Sequence, residues 1–557
     1  MRPMTPAPDV IEMRQRAVPW PVWALGLALA VMVTLPTLIG WLNTPDGWSY
    51  TGAPAIPAGV RWDYNAQLAR MWQGYEPAAA LFRLPFTSES HPAIPLVQSF
   101  YVALGAVARV VPLSLPAIYH AARFALVVAL VPALWLFAGQ FFRGTASRWI
   151  AVLFATVVGG WSWLLLALAP RMTVEVSPIE FWLVDAYNLL GALYLPHFTA
   201  SIILQIAAVL LCDAWIRRPD WLALGGLTLA LAAQSLIQPY AVPLMAALLG
   251  GMALKAVFEK RLALRQALWL ALPLGAHGGL SLYQYLAMQG DPIWRSFVTQ
   301  NQTRSPHPVY YLTSYLPFLL PIALGALAGR RGLFPHRFFV PALWAIAVVC
   351  LLYLPLPTQR RYLLGVQTPL AVLAAQGWVC GVLPRFAPRR RPLITTVFLM
   401  FGSISLLLMI AANVAAARPA RTPALYLSPD VRQGLDWLGA HAGRDELVLT
   451  VSNSSEPGSG GLLASAAGQR VYIGHWIETA DFDAKLDTVA RFFDPATPEG
   501  WRQEFLESAG VHLIWHDAYA REIGAWEPGA APYLARVFAS GDVAIYRVGQ
   551  APRGSAD

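Results

Sequence analysis

The stretch RWDYNAQLARMWQGYEPAAALFRLPFTSESHPAIPL, residues 61–96, separates the first apolar run of the chain from all the later ones. It is the one long polar segment in the early part of the sequence. Asp63 and Tyr64 stand near its start, a turn sequence follows at 74–76, and Glu89 and His91 come shortly before the chain becomes apolar again. We therefore expect any chemistry that the chain performs to begin in this segment.

The rest of the chain has the composition of a polytopic membrane protein. Of its 557 residues 57% are hydrophobic and only 13% are charged, and its mean hydropathy is +0.48. Apolar runs of about 17 to 25 residues recur, each long enough to cross a hydrocarbon core of roughly 30 Å as a helix. The net charge of +9 falls in short clusters between these runs, which indicates membrane topology rather than nucleic-acid binding. The three cysteines lie inside apolar segments and predict neither a disulfide framework nor a metal site.

Twelve apolar runs are visible, and the basic clusters decide which of them cross. The runs are 19–42, 93–112, 116–142, 149–169, 198–216, 221–237, 241–257, 266–287, 311–329, 338–356, 362–383 and 393–414. Arg/Lys clusters follow every second run, at 143–148, 217–218, 255–265, 330–337 and 385–391, as expected for cytoplasmic connections. The alternate connections contain fewer basic residues, and Arg171 is one of those few.

Charge parity predicts eleven crossings rather than twelve. If all twelve runs crossed with the N-terminus inside, every cluster from Arg143 onward would lie outside, against the positive-inside rule. Parity is restored if the proline-bounded run 93–112 lies against or dips into the membrane. The C-terminal segment is then extracytoplasmic. The alternative topology has the N-terminus outside and the Asp63 segment in the cytoplasm.

The first apolar run predicts a retained helix. Arg2, Arg14 and Arg16 precede it, as in a signal peptide, but its apolar core is longer than the roughly 7 to 15 residues of a signal sequence. Gly40-Trp41 also matches a small-residue cleavage site poorly. We expect a cytoplasmic tail at 1–19 and a transmembrane domain at 20–417 that includes an external loop at 43–91.

Residues 418–557 predict a small extracytoplasmic α/β domain. Strand-like runs at 447–451, 471–475, 511–516 and 543–548 alternate with amphipathic stretches near 429–441, 480–493 and 498–509. The loop SNSSEPGSGG, 452–461, is rich in Gly and Ser but lacks the spacing of a phosphate-binding loop. The segment IGHWIETADFDAKL contains His475, Glu478 and Lys485, for which a structural role is favoured over ligand contact.

The arrangement of these parts resembles the GT-C superfamily of integral membrane glycosyltransferases. The resemblance rests on one apolar helix, then Asp63-Tyr64, then His91-Pro92 and Pro95-Leu96 entering an apolar segment, then many spans and a soluble external segment. It covers about residues 20–415 in layout. It implies a mainly α, GT-C-like helical bundle, to which charge parity assigns about eleven spans plus one membrane-dipping helix. It also implies transfer of a sugar from a polyprenyl-phosphate carrier, as in protein mannosyltransferase-like and aminoarabinose transferase-like members.

Asp63 is the candidate catalytic residue. A carboxylate within hydrogen-bond reach can orient or deprotonate an acceptor hydroxyl that attacks an anomeric carbon. Alternatively it holds a divalent metal ion that neutralises the leaving group, although no ligand spacing identifies a metal. A helix cap or a solvated loop acid is the structural reading of the same residue.

The remaining candidates for substrate binding lie in this segment and in the other predicted external segments, 170–197, 289–310 and 355–361. An Arg fork matches the leaving phosphate of the carrier, and the two arginines at 360 and 361 stand at an external helix end. Each candidate also has a structural reading as a helix cap, an interfacial anchor or a snorkelling side chain. The candidates are Tyr64, Glu89, His91, Glu180, Asp185, His197, Arg360 and Arg361.

These observations predict a glycosyltransferase of the plasma (inner) membrane, acting on a lipid, glycan or protein acceptor outside the cytoplasm. A transporter or flippase for a lipid-linked sugar could use the same acids and arginines without chemistry. A non-catalytic membrane scaffold is the third reading. The lack of an evident repeat of broken helices counts against the transporter.

Overall fold

The computed structural model describes residues 18–76, 81–166, 178–328, 336–453 and 458–549. Most of the expected N-terminal tail, Arg171, and part of the Gly/Ser-rich loop lie outside the described residues. The chain divides into two compact units. We call Met1–Leu35, His120–Tyr283 and Thr303–Ala411 the helical unit, and Pro36–Tyr119, Gln284–Gln302 and Ala412–Asp557 the mixed unit.

The helical unit is built from apolar helices. The first helix, Trp20–Leu42, begins in it and contains Pro36. The α-helices that follow are Leu115–Gly139, Thr145–Thr156, Trp163–Leu166, Asn188–Tyr194, Pro196–Arg217, Trp221–Ile237, Val242–Phe258, Leu264–Leu268, Ala271–Gln289, Pro308–Ser314, Leu316–Ala328, Phe339–Leu351, Gln367–Gly377, Arg391–Gly402 and Ile404–Ala416. Short 3₁₀ turns join several of them, including Ile179–Phe181 and Gln359–Leu363.

Four of the described helices are long and apolar enough to cross a membrane, or up to six if each bent pair is one span. The four are Trp20–Leu42, Leu115–Gly139, Pro196–Arg217 and Pro239–Phe258. Two predicted spans are each formed by two helices, bent by 75° between Pro308–Ser314 and Leu316–Ala328 and by 43° between Pro388–Gly402 and Ile404–Ala416. The chain is thus a membrane protein, and the total of eleven crossings stays a prediction.

The mixed unit combines helices with short strands. Its helices are Gly59–Tyr75, Ser99–Val110, Pro292–Gln300, Pro429–His441, Gly458–Ala466, Phe482–Phe493, Glu499–Ser508 and Ala518–Ile523. Two small antiparallel pairs join Ser49–Tyr50 to Tyr426–Leu427 and Leu81–Phe82 to Ile94–Pro95. A four-stranded sheet has the order Leu447–Leu449, Val511–His516, Val543–Val548, Leu534–Ser540. Its first two strands are parallel and its other two pairings are antiparallel.

Two expectations about secondary structure were wrong. The run 471–475 is not a strand, because only Val471 bridges to Val448 before the chain turns. The backbone groups that follow form hydrogen bonds within the turn instead of with a neighbouring strand. The Gly474 N–H donates to Thr479 Oγ1, and the His475 carbonyl accepts from the Thr479 N–H. The strand Leu534–Ser540 was missed, because its outer position leaves it only partly buried and its hydrophobic signal weak.

The segment 43–91, expected to be a loop, contains a helix of 17 residues, Gly59–Tyr75, which we call the Asp63 helix. Residues with good helix propensity, namely Ala, Gln, Leu, Arg and Met, fill its central stretch 66–71. Ser99–Val110 packs across it, and its 12 residues span about 18 Å, less than the roughly 30 Å of a hydrocarbon core. The prediction that run 93–112 lies beside Asp63's segment is confirmed.

Candidate active site

The Asp63 helix presents one polar stripe at helical spacing. Asp63, Gln67 and Arg70 stand four and three residues apart, so their side chains share a face. Arg70 Nη1 donates to Gln67 Oε1 at 2.6 Å, which ties the stripe together. Gln67 and Arg70 are buried, whereas the Asp63 side chain keeps 40% of its surface exposed. Asp63 is thus the part of the stripe that an incoming molecule can reach.

His475 faces Asp63 from the C-terminal part of the same unit. Its Nε2 lies 4.0 Å from Asp63 Oδ1. Its Nδ1 accepts a hydrogen bond from the Ile477 backbone N–H at 3.2 Å, which puts the ring proton on Nε2. Nε2 is buried and has no hydrogen-bond partner among the described residues. Burial and, to a smaller extent, the nearby charge of Arg70 together lower the pKa of His475 to about 3, so the ring is neutral at ordinary pH.

A buried ion pair joins the Asp63 helix to the turn that carries this histidine. Arg70 Nη2 pairs with Glu478 Oε1, and the Glu478 side chain is only 1% exposed. Burial raises the pKa of Glu478 above its usual value, and the charge and hydrogen bond of Arg70 offset part of that rise. The ring of Trp62 meets His475 edge-on, with 5.8 Å between the ring centroids. His475 is held in one orientation by these neighbours.

The adjacent face of the Asp63 helix lines a cavity of about 580 Å³. Tyr64, Trp72 and Tyr75 line it from the helix, and Arg444 lines it from the C-terminal segment. The Tyr64 hydroxyl donates to the Thr51 carbonyl at 2.9 Å, and the residue is buried. The Arg444 guanidinium lies over the Trp72 ring, 4.6 Å from its centroid. The volume is in the range of small-molecule sites, and aromatic faces with a cation suit a polar ligand with apolar faces.

Glu89 is tied to Lys485 of the C-terminal segment. Lys485 Nζ lies 2.8 Å from Glu89 Oε2, and Thr87 and Ser88 donate to the same carboxylate. Burial by itself would raise the pKa of Glu89, but the charge and hydrogen bond of Lys485 and the bond from Thr87 lower it below its usual value. These contacts give Glu89 an anchoring function between distant parts of the unit.

His91 has both ring nitrogens engaged in the same segment. Its Nε2 accepts from the Leu84 backbone N–H at 2.9 Å, and its Nδ1 donates to the Glu89 carbonyl at 2.8 Å. Trp294 packs edge-on against the ring and donates its Nε1–H to the Pro92 carbonyl at 2.9 Å. Burial lowers the pKa of His91. This arrangement favours the structural reading of His91.

The other candidates belong to the helical unit. Glu180 is buried, and its carboxylate accepts hydrogen bonds from Trp163 N at 2.9 Å and Ser314 Oγ at 2.7 Å. Burial raises the pKa of Glu180 above its usual value. Since both carboxylate oxygens bind protein groups, Glu180 holds neighbouring segments of this unit together.

Asp185 and Arg361 form a pair in the helical unit. Arg361 Nη1 lies 3.2 Å from Asp185 Oδ1, and the Asp185 side chain is buried while 20% of the Arg361 side chain is exposed. The guanidinium of Arg360 lies over the Trp182 ring at 5.8 Å, and that of Arg361 over the Phe198 ring at 5.7 Å. His197 follows the helix-opening Pro196, with its ring 4.5 Å from that of Phe198. Two guanidinium groups are therefore held close to aromatic faces.

Metal ligands do not gather in the part of the chain that the structure describes. No group of three or more His, Cys, Asp or Glu side chains there is arranged to hold an ion. We therefore derive no step through a metal.

Sequence reasoning missed Arg70 and Gln67. The spacing Asp63, Gln67, Arg70 marks one helical face, but the segment was interpreted as a loop, for which that spacing has no meaning. His475 and Glu478 were named as candidates, yet nothing local connects them to Asp63, which lies about four hundred residues away.

No family model matches this sequence, and no curated protein matches it. Solved structures do match. The oligosaccharyltransferase of Archaeoglobus fulgidus, tethered to an acceptor peptide containing the NVT sequon, aligns with a TM-score of 0.50 at 12% identity over 95% of this chain and 74% of that one. The chain has a GT-C-like fold.

Two other matches are more distant. The arabinofuranosyltransferase AftD from Mycobacteria aligns with a TM-score of 0.46 at 16% identity, over 94% of this chain and 42% of that one. The A. fulgidus oligosaccharyltransferase AglB, in complex with an inhibitory peptide and a dolichol-phosphate, aligns with a TM-score of 0.41 at 15% identity, over 96% of this chain and 75% of that one. At these identities the likeness concerns the fold.

Proposed function

We propose that this GT-C-like chain is an integral membrane glycosyltransferase that moves a sugar from a polyprenyl-phosphate carrier to a lipid, glycan or protein acceptor outside the cytoplasm. The observation that carries the proposal is the Asp63 carboxylate, whose side chain is 40% exposed, beside the buried Nε2–H of His475, which has no hydrogen-bond partner in the described part of the chain. The GT-C-like fold supports sugar transfer as the reaction class. The carrier rests on the resemblance of the sequence.

Asp63 and His475 can receive one hydroxyl group together. An oxygen about 2.8 Å from both Asp63 Oδ1 and His475 Nε2 fits beside the 4.0 Å gap that separates them. His475 donates its N–H to that oxygen, and Asp63 accepts the hydroxyl proton. This arrangement orients the lone pair of the oxygen and leaves it ready to attack.

The reaction then balances with Asp63 as general base. The acceptor oxygen forms a bond to the anomeric carbon, and the bond from that carbon to the carrier phosphate breaks. The hydroxyl proton moves to Asp63, and the polyprenyl phosphate leaves with the bonding electrons. Because His475 is neutral and fixed by Ile477, it serves as a donor and Asp63 serves as the base.

The roles of the remaining candidates are part of the proposal. Arg360 and Arg361 are proposed to bind an anionic phosphate, supported by the exposed fraction of Arg361 and by the match of guanidinium to phosphate. Asp185 then positions Arg361. Tyr64 is proposed as a substrate contact, because it lines the cavity of about 580 Å³. The N-terminal tail and the C-terminal segment are proposed to lie on opposite sides of the membrane.

The test compares purified wild-type protein with Asp63→Asn and with Asp46→Asn, an exposed acid of the same unit. Polyprenyl-phosphate sugars are offered with candidate acceptors, and transferred sugar is measured. Asp63→Asn should lower the transfer rate by about 10² to 10⁴-fold, the usual contribution of a general base, while Asp46→Asn stays at the wild-type rate. Equal rates in all three proteins would overturn the role of Asp63. Movement of the lipid-linked sugar across a bilayer without transfer would instead identify a flippase.

A further inference from the structure

A second cavity, of about 220 Å³, lies at one end of the helical unit. Helix Pro196–Arg217 lines it with Asp213 and Arg217 near its C-terminal end. Helix Val242–Phe258 contributes Met252 and Lys255, also from near its C-terminal end. Three further parts of its wall are Gln140 after helix Leu115–Gly139, the N-terminal end of Phe339–Leu351, and Arg261. The ends of several apolar helices therefore line this cavity.

The described rim of this cavity carries an excess of positive charge. Four basic side chains line it, Arg217, Lys255, Arg261 and Arg337. Only two carboxylates pair with them, that of Asp213 in the lining and that of the neighbouring Glu259. Arg217 pairs with Asp213 at 2.8 Å and donates to Gln140 at 2.7 Å, while Arg261 and Lys255 share Glu259. More cationic groups converge than the local acids neutralise.

The inner wall of the cavity is apolar. Phe141, Val209, Met252 and Val340 line it, and the ammonium group of Lys255 lies 5.5 Å from the centre of the Phe339 ring. A basic rim above an apolar wall suits an amphiphile, with an anionic head at the rim and a chain against the wall. A volume of about 220 Å³ accommodates a head group rather than a ligand of drug size.

Aromatic side chains mark the same end of the unit as a membrane interface. Trp215 is in the last turn before Arg217, and its ring lies 6.0 Å from that of Trp221, which is 63% exposed. Trp269 meets Trp221 edge-on at 5.0 Å and is also exposed. Exposed tryptophans cluster where a helix leaves the hydrocarbon core and meets lipid head groups.

We propose that this cavity, which we call the basic-end cavity, binds the head group of an anionic phospholipid. The phosphodiester meets Arg261, Arg337 and Lys255, and the start of an acyl chain lies along the apolar wall. Basic clusters of this kind serve as topology signals, but such signals need no shared cavity. This site is separate from Asp63 and does not depend on the proposed transfer reaction.

The test measures lipid binding to the full-length protein in a neutral detergent by native mass spectrometry. Phosphatidylglycerol, phosphatidylcholine and inorganic phosphate are titrated separately. Phosphatidylglycerol should bind most tightly. Arg261→Gln/Arg337→Gln should weaken its binding about thirtyfold, or about 2 kcal/mol at 1.4 kcal/mol per tenfold, since each basic group contributes about 1 kcal/mol.

Arg218→Gln/Arg265→Gln is the matched control. Both arginines are exposed and lie outside the lining of the cavity, and their removal takes away the same charge. This control should keep wild-type affinity. Equal weakening in both double variants would show diffuse attraction to a basic surface and overturn the proposal. If inorganic phosphate bound as tightly as phosphatidylglycerol, the cavity would be a general anion site, and this result would also overturn the proposal. The melting temperature of each variant verifies folding.

Discussion

At the scale of single residues, the environment of Asp63 depends on the buried pair Arg70 and Glu478. The two side chains are 9% and 1% exposed, and Glu478 supports the turn that carries His475. Breaking a buried pair by removing one partner leaves an uncompensated charge in a poorly solvated place. Replacing both partners by apolar groups leaves no such charge. Loss of one partner of this buried pair should therefore destabilise the protein more than loss of one partner of an exposed pair.

Arg70→Met should destabilise the protein by about 3 kcal/mol or more, because Glu478 then stays buried without its partner. Denaturant unfolding of the purified protein in detergent measures this. Arg70→Met/Glu478→Met should recover much of the loss. Arg432→Met, which breaks an exposed pair with Asp436 at 3.0 Å, should cost less than about 1 kcal/mol. If Arg70→Met were no more harmful than Arg432→Met, the stabilising role of the pair would be refuted.

At the scale of elements, the Asp63 helix is positioned by its crossing with Ser99–Val110. A Cβ atom on Gly105 would lie 1.9 Å from the Met71 carbonyl oxygen, and one on Gly74 would lie 1.8 Å from that of Val102. The two backbones touch at both glycines. This close approach, together with buried side chains of both helices, positions the helix that carries Asp63 and Tyr64.

Gly105→Ala should destabilise the mixed unit by about 1 to 3 kcal/mol, because the added methyl group forces the two backbones apart. Gly500→Ala is the control, since a Cβ there meets nothing within 4 Å and alanine favours a helix. The melting temperature should fall for the first variant and stay level or rise for the second. A Gly105→Ala protein as stable as wild type would contradict the tight crossing.

At the scale of the whole molecule, one short strand pair constrains the topology. Ser49–Tyr50, just after the first helix, pairs with Tyr426–Leu427, just after the last apolar helix. Paired segments lie on the same side of a membrane, so the chain between them crosses an even number of times. Eleven crossings in total satisfy this condition, whereas twelve do not. The candidate spans in the described residues number four to six, and a total of four or six would need at least one further crossing to satisfy this condition.

Reporter fusions after positions 70 and 430 should therefore report the same side, and we expect that side to be extracytoplasmic. Alkaline phosphatase and a fluorescent protein give opposite signals on the two sides, so the pair of reporters is its own control. Opposite sides for the two positions would contradict the strand pairing. The cytoplasmic side for both would refute the proposed orientation.

The sequence by itself determined the membrane class, most of the helices and strands, and Asp63 as the leading candidate. These properties depend on local composition and periodicity, which a short window of residues contains. Charge parity alone predicts that the run 93–112 does not cross the membrane, and this stays a prediction. The bounds of the strands at 511–516 and 543–548 were predicted as observed.

Only the tertiary structure decided what Asp63 and its neighbours touch. His475, Glu478 and Lys485 meet Asp63, Arg70 and Glu89 across about four hundred residues, and no local pattern encodes such a contact. The same contacts assign Glu89 and His91 to anchoring, because their polar atoms already bind the protein. The type of a residue shows which reactions its side chain can take part in. The burial of that side chain and its hydrogen-bond partners decide whether it is available for them.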